Sequence, residues 1–246
     1  MTFTNWKEYF ETNDSHFSHL DWQMEDCLTK DEKHTISASI KQFQKGENSE
    51  GKNLIRYAKA YGDPVYLDTI KLFIREEQTH ALVLGKYMQK HGIEKIKQHW
   101  VDNIFRGLRK TGTLENSVMV LITAEIIAAI YYKALFRATN SSQLKAICSQ
   151  ILKDEKMHIN FQSFTLRQFY SSKNKSSQLL SRGIHRFLMQ GTTLVVWFLN
   201  RKVLQAGNYS LKSFNRDVFD EFNRSNEMVK GIRFIQVRRP EKRMSA

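Results

Sequence analysis

Four stretches of the chain place apolar residues at alternating steps of four and three, the spacing that keeps side chains on one stripe of an α-helix. The first reads Ile36, Ile40, Phe43, Glu47, Glu50, Leu54, Tyr57, Tyr61 and stops at Gly62-Asp63-Pro64. The second reads Tyr66, Ile70, Phe73, Glu77, His80, Leu84, Tyr87 and closes near Gly92. The third reads Val118, Leu121, Glu125, Ala128, Tyr132, Leu135, and Asn140-Ser141-Ser142 breaks it. The fourth reads Leu144, Cys148, Ile151, Glu155, His158, Gln162, Thr165. Short links within the first and second pairs predict two antiparallel hairpins.

The link over residues 91–113 is long enough to cross a bundle, with room for a short helix around Ile96–Arg109. Hairpin, long crossover, hairpin is the connectivity of a ferritin-like four-helix bundle. The expected fold is therefore all-α, with the bundle over residues 31–171. Residues 1–30 read as an irregular extension whose aromatics, Trp6, Tyr9, Phe10, Phe17 and Trp22, pack onto the core. Residues 172–246 read as a basic helical extension and tail, with a further helix over about 177–206.

Composition supports this reading. There are only two prolines and eleven glycines in 246 residues, and 41% of residues are hydrophobic, so a helical core is expected and global disorder is not. Cys27 and Cys148 are the only cysteines, too few for a disulfide framework; both are expected as free thiols in a reducing compartment, the cytoplasm. The N-terminus lacks a basic region followed by an apolar run, so no secretory signal is expected. The apolar stretch Phe187–Leu199 is too short and too polar for a transmembrane segment.

Carboxylates do not ordinarily sit in apolar stripes, because burying an unpaired charge is very unfavourable. Here each of the four stripes carries one at the same level. Glu77 with His80 and Glu155 with His158 form E-x-x-H pairs, whose members share a helix face and can aim at one metal ion. An offset of 78 positions maps Glu47 onto Glu125, Glu77 onto Glu155 and His80 onto His158. The same offset maps Phe43 onto Leu121, Phe73 onto Ile151 and Glu76 onto Asp154. Two hairpins related in this way predict a pseudo-two-fold bundle with six polar side chains converging on its axis. Four carboxylates and two imidazoles, without thiolate, suit iron, or manganese in one or both positions.

Glu50 also lies on the first stripe, but its repeat partner is Ala128, and Gly46 and Gly51 flank it. A local bulge between these glycines would let either Glu47 or Glu50 reach the metal; the repeat favours Glu47 as ligand, with Glu50 a mobile extra carboxylate or an acid behind the ligands. Glu76 and Asp154 are candidates to accept hydrogen bonds from the ligand histidines and fix their tautomers; solvated acids are the alternative. Tyr131 and Tyr132 lie near Glu125 by helix spacing; Tyr132 is a candidate redox residue beside the metals, with aromatic packing the commoner explanation. His16, His19, His34, His91, His99 and His185 have no partner at ligand spacing and are expected at the surface or as caps.

Glu76-Glu77-Gln78-Thr79-His80, with Lys86-Tyr87 after it, resembles the E-E-x-x-H segment of the soluble plant acyl-carrier-protein desaturases. Asp154-Glu155-Lys156-Met157-His158 is similar to the D-E-x-x-H segment of desaturases and bacterial multicomponent monooxygenases. Gly46-Glu47 looks like the first helix of rubrerythrins. These short segments mark the ferritin-like superfamily rather than a subfamily, and the resemblance implies a di-iron site that reacts with dioxygen.

The expected function is an oxygen-activating di-iron oxidase or oxygenase carrying out hydroxylation, desaturation or N-oxidation of an organic substrate. An external electron donor would be required, since no flavin or iron–sulfur motif is present. A ferroxidase or iron-handling protein is the main alternative, and a metal-stabilised structural bundle the next. Net charge is +13, concentrated in the last third, and Arg233, Arg238, Arg239, Lys242 and Arg243 cluster near the end. That charge would attract nucleic acid, acidic lipid headgroups or an acidic partner protein, and a solvated helical face with a free tail is the plainer reading. No zinc-finger, RNP or Gly-rich phosphate motif points to nucleic acid. A homodimer is compatible with the sequence.

Overall fold

The computed structural model of the chain describes residues 1–14, 16–48, 51–96 and 113–233, and every regular element among them is a helix. In order these are α1 (Phe3–Thr12), α2 (Lys30–Glu47), α3 (Lys52–Tyr61), α4 (Pro64–Lys90), α5 (Leu114–Ala138), α6 (Ser142–Ser171), α7 (Lys175–Ala206) and α8 (Leu211–Val229). The arrangement is compatible with the expected ferritin-like bundle.

Local chemistry sets the helix starts. Thr29 and Glu32 form a capping box at α2, and Asp63 caps α4 just before Pro64 at the first helical position. Thr113, Ser141, Asn174 and Ser210 cap α5 to α8 through side-chain oxygens. Both hairpins are antiparallel. Gln44 on α2 donates to the Ala81 carbonyl on α4 (3.1 Å), while Lys33, a few turns back, approaches Gly92. On the other hairpin Met119 meets Tyr170, and Glu125 meets His158.

The first stripe does not form one helix. It breaks after Glu47, and α3 restarts behind Gly51, whose left-handed φ of 61° suits glycine. Periodicity could not reveal the break because the apolar phase resumes on the far side. Residues 1–30 are not irregular throughout either. Thr2 and Asn5 make a capping box for α1, and its buried Trp6, Tyr9 and Phe10 pack on α4 and α6. At ten residues this helix has little stability of its own, and tertiary packing holds it. Residues 97–112, and with them the crossover helix, lie outside the described residues, as do His99, Glu50 and the basic cluster beyond Arg233.

Helix α5 sits at the centre. It is long and apolar enough to cross a membrane, but 83% of its most apolar window is buried inside the protein. It packs against α6 on one side and α7 on another, with α8 also in contact. The α7 contact includes His185, expected at the surface but in fact buried, 3.1 Å from Thr123 Oγ1 on α5 and edge-on to Phe222 of α8. His91 is also partnered, facing Asp26 at 3.1 Å. At the end of α7, Gly207 lies against the α5 backbone; a Cβ there would fall 2.6 Å from Ala134 Cα.

Two outcomes follow from this packing. Gly207→Ala should lower stability by roughly 1–3 kcal/mol, the range for overpacking against a backbone that cannot retreat; an unchanged denaturant midpoint would show that α7 and α5 separate easily. Burial lowers the His185 pKa from 6.5 to about 4. A depressed folded pKa means that its stabilisation is complete above the unfolded value and lost as pH falls from about 6.5 towards 4. His185→Gln should therefore show a shallower acid-induced loss of thermal stability across that window than the parent chain; parallel profiles would contradict a buried neutral imidazole.

Candidate metal centre

Three helices of the predicted bundle bring their ligand-type residues to one level near mid-helix, and α2 brings its own at its final residue. Glu47 ends α2, Glu77 and His80 share a face of α4, Glu125 lies on α5, and Glu155 and His158 share a face of α6. All six are buried or nearly so. Their donor atoms fall into two quartets, each with every atom within 4.8 Å of the others. One is Glu47, Glu77, His80 and Glu155; the other is Glu77, Glu125, Glu155 and His158. Glu77 and Glu155 belong to both. These buried clusters could hold metal ions.

The histidines are oriented from outside by acids on the opposite helix. His80 Nε2 lies 3.2 Å from Asp154 Oδ2, and His158 Nε2 lies 3.3 Å from Glu76 Oε2. Each acid adjoins one hairpin's glutamate and holds the other hairpin's histidine. A carboxylate at Nε2 favours the proton on that nitrogen, leaving the Nδ1 lone pair directed at the cluster. Neither Nδ1 atom makes a well-oriented hydrogen bond, nor do Glu77 Oε1 and both Glu155 oxygens; their nearest polar neighbours are one another, with His158 Nδ1 2.9 Å from Glu77 Oε1. Buried polar atoms are ordinarily satisfied. Five such atoms crowded about a common centre, with four carboxylates and two imidazoles, make a donor set that could hold metal ions. The two free cysteines are not part of the cluster, and burial pushes the Cys148 thiol up, away from the thiolate.

Electrostatics without metal reflect crowding. Burial and then the Glu77 charge raise Glu47 well above the usual carboxylate range; burial and then Glu125 do the same to Glu155. Burial alone would lower His158, but Glu77, Glu125, Glu155 and Glu76 outweigh it and raise its pKa well above 6.5. Burial would raise Asp154, but its hydrogen bond with His80 and the charge there lower it.

Tyr132 donates a 2.7 Å hydrogen bond to Glu47 Oε1, which places it beside the cluster. Tyr131 turns away, stacked on Phe43 and bonded to Ser39. Aromatic rings close the outside: Phe73 and Phe10 lie 4.9 and 6.0 Å from the His158 ring, and Phe17 lies 5.8 Å from His80.

His16 is a correction to the surface expectation. Its side chain is buried, with Nε2 3.5 Å from Asp154 Oδ2, and it forms a third acid–histidine group with His80 and Asp154. Asn13 donates to both Glu76 and Asp154, and Gln150 donates to Asp154 at 2.9 Å. Only Gln150, four residues before Asp154 on the same helix, carried a sequence signal. Asn13 and His16 arrive through tertiary packing of α1 and the loop after it.

No protein-family model matches this sequence, and a comparison with curated proteins gives no match either.

These crowded atoms give the centre a measurable signature. Without metal, Glu155→Leu should stabilise the protein by on the order of 1–4 kcal/mol, because it removes buried polar oxygens that no well-oriented hydrogen bond satisfies. With Fe(II) or Mn(II) present the order should reverse, since the parent chain gains binding energy that the variant cannot. Thermal melts of both chains with and without metal decide this; a variant less stable in both conditions would make Glu155 an ordinary structural residue.

Proposed function

We propose that the two quartets hold two iron ions and that the protein is an oxygen-activating di-iron oxidase or oxygenase. The observation that carries this is the sharing of Glu77 and Glu155 between two quartets, each completed by one histidine Nδ1 and one further carboxylate. Glu47 and His80 would hold one ion, Glu125 and His158 the other, and Glu77 and Glu155 would serve both. Manganese in one or both positions fits the same donors. When bound as Fe(II), the pair supplies two electrons to dioxygen, and an external donor must restore them.

The chain's own groups prepare the site for that chemistry. Asp154 and Glu76 fix the histidine tautomers and hold the rings in place. Tyr132 keeps a proton on its hydroxyl, directed at Glu47 Oε1, where it restrains a carboxylate at the end of a helix. Phe10, Phe17 and Phe73 shield the ligand histidines from water on the outer side. That apolar seal favours resident ions and an oxidised organic substrate over a protein that passes iron through at every turnover. The second reading, a ferroxidase, is favoured by a small cleft lined by exposed Asp14 and by buried His16 and Glu76, with Arg75 also on its wall.

Anaerobic reconstitution with Fe(II) should give about two irons per chain; one or none would overturn the proposal. Oxygen added to the reduced protein should then be consumed in a single burst and resume only with a reductant. Continued oxidation of Fe(II) well beyond two per chain, without reductant, would replace the oxidase reading with the ferroxidase one. Asp154→Asn should weaken metal binding by roughly 10–100-fold while leaving the fold intact.

A further inference from the structure

Helix α7 has two apolar faces, and the fold uses one. His185, Met189, Thr193, Val196 and Val203 are buried on the side towards α5. On the other side Leu180, Ile184, Phe187, Leu194 and Phe198 recur at steps of four and three, apart from one step of seven that passes over exposed Gly191. They form a continuous stripe about 27 Å long. These residues are open to solvent, Phe187 at 84%, Leu180 at 67% and Phe198 at 63% exposure. Leu179, Val195 and Leu199 widen the stripe. Taking roughly 200 Å² for a fully exposed large side chain, it presents on the order of 800 Å² of apolar surface, more than the largest patch of a typical monomer.

The charge that α7 itself carries is of one sign, although Glu115 of α5 meets its first turns at Ser181 and α8 alongside carries Asp217, Asp220 and Glu221. From Lys156 to Arg216 the sequence contains ten Lys and Arg and no Asp or Glu. On α7, Arg186 flanks the stripe while Arg201 and Lys202 close its C-terminal end, all exposed. A two-fold pairing with a second copy would bring these cations together with no acid on either helix to neutralise them. An apolar band edged by Lys and Arg instead matches an interface whose interior is hydrocarbon and whose rim is anionic.

We propose that the outer face of α7 docks on an anionic lipid bilayer, with the helix lying in the plane of the headgroups and Leu180, Ile184, Phe187, Leu194 and Phe198 reaching the acyl boundary. The chain does not cross the bilayer in this arrangement. The bundle remains on the aqueous side, and an apolar substrate dissolved in the membrane would be within reach.

Co-sedimentation of the full chain with vesicles tests this. Binding is expected to vesicles of phosphatidylcholine with phosphatidylglycerol, weaker in high salt, and at least about ten-fold weaker to phosphatidylcholine alone. The double variant F187E/F198E changes only exposed positions and should keep its helical circular dichroism and its metal stoichiometry while losing at least about ten-fold in binding. R201Q/K202Q should lose part of the preference for phosphatidylglycerol. The proposal fails if the parent chain does not bind the anionic vesicles, or if F187E/F198E binds them as well as the parent. It also fails if deletion of residues 236–246 abolishes binding while F187E/F198E does not. Sedimentation showing a parent dimer that F187E/F198E dissociates would assign the stripe to a second copy instead.

Discussion

Four glutamates buried at one level of an apolar bundle set the terms for the rest of this structure. Ionised together they would repel one another in a medium that screens poorly, and each would forgo its hydration. Among the described residues, the ion pairs of Glu77, Glu125 and Glu155 are with His80 and His158, not with arginine or lysine. The protein leaves donor atoms without well-oriented hydrogen bonds and points them inward. A cluster built this way is an inefficient means of stabilising a fold, and much more stabilising residues are available for a helix core. Its donor set is of the kind that could hold metal ions, which would supply the missing positive charge.

The outer groups follow from the same constraint. An imidazole ligand must be neutral at the nitrogen facing the metal, so the opposite nitrogen needs an acceptor that holds the proton there. Asp154 and Glu76 provide it, and they do so across the bundle: the acid beside each hairpin's glutamate serves the other hairpin's histidine. The two hairpins are thereby linked through polar groups as well as through packing. The symmetry is incomplete. Tyr132 bonds Glu47, whereas Glu125 interacts with His158. α2 ends at its ligand while α5 continues for three more turns. The two positions therefore differ in support: Glu47 closes its helix and is held by Tyr132, whereas Glu125 sits within a continuous helix.

What the sequence made legible was whatever repeats. The four-three spacing located α4, α5 and α6, and the 78-residue offset singled out the six side chains that the structure brings together. Single events were not legible. The break after Glu47 depends on Gly51 adopting a left-handed backbone, and the apolar phase on both sides conceals it. Helix α1 is too short for periodicity to separate it from a loop with aromatics. His16 reaches Asp154 only because α1 docks on α4 and α6, a long-range contact with no counterpart in local spacing. His185 looked like a surface histidine because it has no partner at ligand spacing. Its position on the buried side of α7 becomes evident only when α5 and α8 are in place.

The C-terminal helices explain how a helix as apolar as α5 can exist in a water-exposed fold. Two hairpins alone would cover the faces of α5 that meet α6 and the α2–α3 segment, leaving the remainder to water. α7 and α8 close that gap, with His185, Met189, Trp197, Val203 and Leu204 among the residues of α7 turned inward. This task requires one apolar face from α7, and Thr193 and Asn200 within it show that even that face tolerates polar atoms. Nothing in covering α5 requires Phe187 or Phe198, which lie on the opposite side and would be more favourably replaced by polar residues if they faced only water. The second face of α7 is therefore best understood through contacts beyond the described residues, and the one-signed charge of α7 itself restricts what those contacts are.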